Sequence, residues 1–167
     1  MTQPTTPDWI SQTREFLELT REAREFVERA TETFPRAMVE DAQAVARLWQ
    51  HATALDDQVL MLLGEINQGL LEGKGEMDST RGASVRSILP GVVTEELLFY
   101  ECTWSLAWEG ADHQILVKLA VEPQMESFHL QVSSLNALRP VDVRFPMEEE
   151  QQLKEALKKV YVQEMLP

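Results

Sequence analysis

The sequence predicts an α+β protein: two long N-terminal helices, hairpin-like or coiled-coil-like, then a three- to four-stranded antiparallel meander sheet covered by a C-terminal helix. Three observations predict it. Apolar residues recur three, four and seven apart through the first part of the chain, which is the period of a helix with one buried face. From Leu97 onward the period changes to two, the signature of half-buried strands. After Pro146, glutamates precede lysines along a last amphipathic segment, the sign order that suits a helix dipole.

The first helix is expected over residues 8–33. Thr6-Pro7-Asp8 opens it, since a proline in the first turn loses no useful N–H and an acid favours the positive helix end. Trp9, Phe16, Leu19, Ala23, Phe26, Val27, Ala30 and Phe34 make its apolar stripe. Charges of both signs lie between them, as on a solvated face. Pro35 breaks the pattern, because a proline inside a helix removes a hydrogen bond and clashes with the preceding turn.

The second helix, expected over 36–72, carries the strongest pattern in the chain. Met38, Val45, Ala52, Val59 and Ile66 stand seven apart, and Ala42, Trp49, Asp56, Leu63 and Leu70 form the complementary series. At 1.5 Å per residue it would be about 55 Å long. Asp56 interrupts the seam. It is read either as a buried carboxylate gripping a partner arginine or fixing register, or as a residue at the solvated edge of a slowly rotating stripe. Gly73 and Gly75 end the helix.

Residues 73–95 are Gly- and Ser-containing and weakly patterned, and they read as a flexible loop or linker. A docking segment around Val85–Val93 is the functional alternative. Lys74 lies in a GKGEMDS run with the wrong glycine spacing for a phosphate-binding loop. Residues 96–167 then supply the sheet and last helix, so the chain reads as one domain of three regions. Tyr100, Cys102, Trp104, Leu106 and Trp108 line the inner face of the first strand. Ile115, Val117, Leu119 and Val121 follow on the second, Phe128, Leu130 and Val132 on the third, and Val141–Phe145 make a short fourth. Short turns imply antiparallel neighbours.

Charge narrows the function classes. With 28 Asp and Glu against 15 Lys and Arg, the net charge is −13. That field opposes binding to nucleic acid or anionic lipid and favours a basic protein partner. A single cysteine, Cys102, makes no intramolecular disulfide. The first residues lack a basic, then apolar, signal sequence, and no apolar run is long enough to span a bilayer, so a cytoplasmic location is expected.

No motif for catalysis, a cofactor or a metal is visible. Cys102 falls on an apolar strand face, where a thiol is a small hydrophobe. His51, His113 and His129 share no metal-ligand spacing. The expectation is a non-catalytic protein–protein interaction protein without cofactor or metal. It would be an adaptor or small subunit of a homo-oligomeric or heteromeric assembly, docking through its helices. The interface candidates are Trp9, Phe16, Val45, Trp49, Asp56, Val59, Leu63, Ile66 and Leu70. The alternatives are a small acidic chaperone that holds a client segment along a sheet edge or groove, and an enzyme or small-ligand protein with a pocket between helices and sheet.

Overall fold

The computed structural model describes residues 8–33, 41–88, 95–122, 127–136 and 139–166. Eight elements follow one another: α1 (Asp8–Thr33), α2 (Ala42–Leu70), β1 (Glu76–Ile88), β2 (Glu95–Trp108), β3 (His113–Glu122), β4 (Ser127–Ser134), β5 (Val141–Val143) and α3 (Glu150–Met165). The protein is α+β, with two N-terminal helices, an antiparallel sheet and a C-terminal helix. The break at Pro35 and the start expected for the second helix at residue 36 lie outside the described residues.

The sheet is a meander of five strands in the order β1-β2-β3-β4-β5, one more strand than the sequence suggests. Residues 76–88, read from sequence as loop or linker, are β1. They pair antiparallel with β2 in an unbroken register from Glu76↔Ala107 to Ile88↔Glu95. The remainder of the expected docking segment, 89–93, lies outside the described residues. The physical reason for the misreading is backbone rather than side chain: β1 is held by its ladder to β2, and its described side chains from Glu76 to Arg81 are exposed on both faces.

The alternation in the other strands builds one apolar face. Tyr100, Cys102, Trp104, Leu106 and Trp108 of β2 are buried beside Ile115, Val117, Leu119 and Val121 of β3. Leu130 and Val132 of β4 and Val143 of β5 extend the row. Two helices cover it: α2 lies over β2 and β3, and α3 over β3, β4 and β5. The opposite face is polar. There Thr80 and Thr103 share a hydroxyl hydrogen bond, Lys118 approaches Glu101 at 3.9 Å, and the Gln131 amide donates to Asp142 at 2.8 Å.

The helix α1 packs along α2, burying Ala23, Val27 and Ala30. It reaches the sheet through Phe26, which sets its ring edge-on to Trp49 at 5.6 Å and to Tyr100 at 6.2 Å. On the surface Arg21 pairs with Glu18 and Arg24 with Glu28.

The helix α3 begins at Glu150 instead of Pro146. Phe145 and Met147 pack against the core, which holds the chain out of helix until Glu149. Leu153, Ala156, Leu157 and Val160 are its buried face, as their spacing predicts. Near its end Glu164 is buried at 1% exposure. It accepts hydrogen bonds from the Asn136 backbone N–H at 2.8 Å and side-chain amide at 2.7 Å, and it meets His113 Nδ1 at 3.0 Å. Burial works against the ionised form. The bonds from Asn136, His113, Ser134 and the Gln114 backbone outweigh it, so the Glu164 carboxyl is held below the ordinary range.

Candidate functional site

The helical seam expected to dock a partner is used up inside the chain. Val45, Val59 and Leu63 are fully buried and Trp49 is nearly so, all in the core between α1, α2 and the sheet. These four are therefore not surface interface residues here. The physical reason is that the sheet needs a helical cover, and the heptad face of α2 supplies it. Phe16 and Ile66 are half-buried against the same core. Trp9 and Leu70 remain exposed, at 67% and 56%. Asp56 stays on the seam but reaches its edge, where it meets a groove.

That groove starts from the junction of α2 with β1. Asn67, buried in the last turn of α2, accepts the Gly75 N–H on its side-chain oxygen at 2.7 Å and donates its amide to the Gly75 carbonyl at 3.3 Å. Its own carbonyl accepts the N–H groups of Leu71 and Gly73 at 3.2 and 2.9 Å. Glu72 and Gly73 turn the chain with φ of 54° and 74°. A side chain at Gly75 would stand 2.6 Å from Leu106 Cδ1 and 2.8 Å from Asn67 Oδ1, so only glycine allows this close passage. The chain thus leaves α2 and enters β1 within five residues, and β1 runs beside the helix.

Between α2 and β1 lies an open groove of about 490 Å³, lined by Ala52, Thr53, Asp56, Ser79, Arg81 and Trp104 among others. Cys102 also lines it. Burial pushes its thiol up to about 11, with the Arg81 charge opposing and the Glu101 charge adding, so it is a thiol and no nucleophile near neutral pH. Asp56 Oδ1 accepts the indole N–H of Trp104 at 2.9 Å. A second hollow of about 660 Å³ shares Arg81 with the first and adds Glu22, Glu25, Phe26 and Arg29 of α1. The Arg81 guanidinium lies 4.6 Å over the Trp49 ring, which parks it against an aromatic face.

The two edges of the sheet differ. The β5 edge is three residues long. The β1 edge is thirteen residues long, has no proline, and its register with β2 contains no bulge. Natural proteins blunt such edges by shortening, proline, bulges, charge or a covering segment, and among the described residues β1 shows charge. Among the described residues its outer backbone groups meet no further strand.

Sequence reasoning found Asp56 and missed Ser79, Arg81, Thr53, Glu22 and Glu25. The available signal was the Thr80, Val85 and Ile88 content of the 76–88 stretch, which favours a strand over a linker. Among the described residues no group of three or more His, Cys, Asp or Glu side chains is arranged to hold a metal ion, and no helix is long and apolar enough to cross a membrane.

Fold and site together define a class: an α+β unit whose long β1 edge meets no further strand among the described residues and lies beside a groove of mixed polar and apolar lining. Comparisons with protein-family models, curated proteins and solved structures give no match to this chain.

Proposed function

We propose that this chain is a non-catalytic, cytoplasmic protein-binding protein, an adaptor or small subunit of a larger assembly, that takes up an extended segment of its partner along β1. The observation that carries the reading is the long β1 edge, thirteen residues without proline or bulge, beside a groove. Strand addition supplies affinity through main-chain hydrogen bonds, and pockets for alternate side chains supply selectivity. The same geometry favours a client-holding role over docking through the helices, since the α2 seam is spent on the core.

The test is hydrogen exchange on the full chain, alone and with binders selected from a displayed library of random linear peptides. Strand addition predicts slowed exchange at the outward-facing amides of β1 and little change in α1. Binders that protect only α1, around exposed Trp9 and Leu17, would move the interface to the helices and end this reading.

A further inference from the structure

We infer that the segment added at β1 carries a lysine or arginine whose cationic head meets Asp56; this rests on the strand-addition reading and names the chemistry of its occupant. Side chains of an added strand alternate between the two sheet faces. Those on the face of Ser79 and Arg81 enter the groove beneath α2, because these residues stand opposite Trp104 and Cys102 on the helix-covered side. Asp56 lines that groove from the helix.

The carboxylate is set for a cation. One oxygen is fixed by the Trp104 indole at 2.9 Å, and no described group bonds the other. Arg81, the cation nearest in the groove lining, is stacked on Trp49 and makes no ion pair with Asp56. Thr53 has its hydroxyl turned back onto the Trp49 carbonyl at 2.8 Å, so it does not compete for the carboxylate. In the neighbouring hollow Glu22 and Glu25 are balanced by Arg29 and Arg81, so the long-range preference for a cation comes from the whole chain, which carries −13. A half-buried carboxylate held by one neutral donor makes its strongest available bond to a Lys or Arg head. A second copy of this chain is the poorer occupant, since it would bring another −13 to the same edge.

The experiment selects linear peptides on the full chain and compares three proteins: wild type, Asp56→Asn and Arg81→Gln. Asparagine keeps an oxygen for the Trp104 N–H while removing the charge. Enriched peptides should share a Lys or Arg at one position. Asp56→Asn should weaken them about tenfold. A peptide with that residue changed to Gln should bind wild type and Asp56→Asn alike. Arg81→Gln, which removes a like charge from the groove lining, should tighten the basic peptides. Peptides that protect β1 without a basic preference, or whose binding ignores both substitutions, overturn the inference and leave strand addition standing. Absence of any β1-protecting peptide, or a self-association that occupies β1, overturns both.

Discussion

Trp104 of β2 donates its indole N–H to Asp56 of α2 at 2.9 Å, tying the middle of the covering helix to the second strand. Four residues on along the same strand face, the buried indole N–H of Trp108 has no acceptor among the described residues. Trp108 instead stacks on His113 at 5.5 Å and leans on Tyr161 at 6.0 Å.

The two tryptophans therefore respond differently to the same change. Trp104→Phe leaves a half-buried carboxylate without its donor, while Trp108→Phe removes an unsatisfied polar atom. Both lose ring volume. Chemical denaturation should show Trp104→Phe costing about 1 kcal/mol more than Trp108→Phe. Equal losses would mean the Asp56 bond contributes nothing net.

Gly75→Ala drives a methyl into Leu106 and Asn67, and neither has room to retreat because both are buried. A loss of about 1–3 kcal/mol is expected. Asn67→Ala should also destabilise, by removing both side-chain bonds to Gly75. In a melting experiment the pair should be less than additive, since they share one junction.

Glu164 makes stability depend on pH. Its folded carboxyl titrates below its unfolded value, so its contribution is fully present above the ordinary glutamate pKa of about 4.3. That contribution is lost as pH falls through the lower, folded value. Glu164→Gln removes the titration. Its deficit against wild type in urea unfolding should be largest at neutral pH and should shrink in the acidic range. His51 works the same way nearer neutrality. Although His51 is exposed, partial desolvation where its ring packs on Phe128 and Phe145 lowers its pKa, so its small contribution falls as pH drops below about 6.5.

Val59→Asp tests where the heptad seam goes. Val59 has no exposure, so an unpaired charge there should unfold the chain, with a loss of about 3–5 kcal/mol. Leu70→Asp, at an exposed position of the same helix, should melt like wild type. If Val59→Asp folds normally and only changes the oligomeric state, the seam is an interface after all.

How much of this was legible in the sequence follows from which residues carry the signal. The helices and the strands from β2 onward announce themselves through side chains with a clear period, because each buries one face. Tyr100, Cys102, Trp104, Leu106 and Trp108 are all buried, and the residues between them are only half-buried. What those periods do not say is which face meets which. The seam of α2 looks like a coiled coil because helix and sheet ask the same apolar stripe of a helix. Residues 76–81 hid their part of the strand because their side chains are exposed on both faces, and the strand is held by backbone bonds to β2. Asp56 was visible as an interruption in the seam. Its partner Trp104 was not, since the two are 48 positions apart and only the fold brings them together.

The strand order carries a consequence for how the protein is made. From β2 to β5, every strand pairs with the one just before it. A ribosome delivering the chain can therefore add each strand to a neighbour already outside the exit tunnel, with no partner to wait for. The cover is less evenly timed. The helix α2 emerges ahead of the strands it shields, but α3 follows all of β3, β4 and β5. During that interval Val132 and Val143 face water, and a nascent chain stalled before Glu150 is the species that a cell's holding factors would meet.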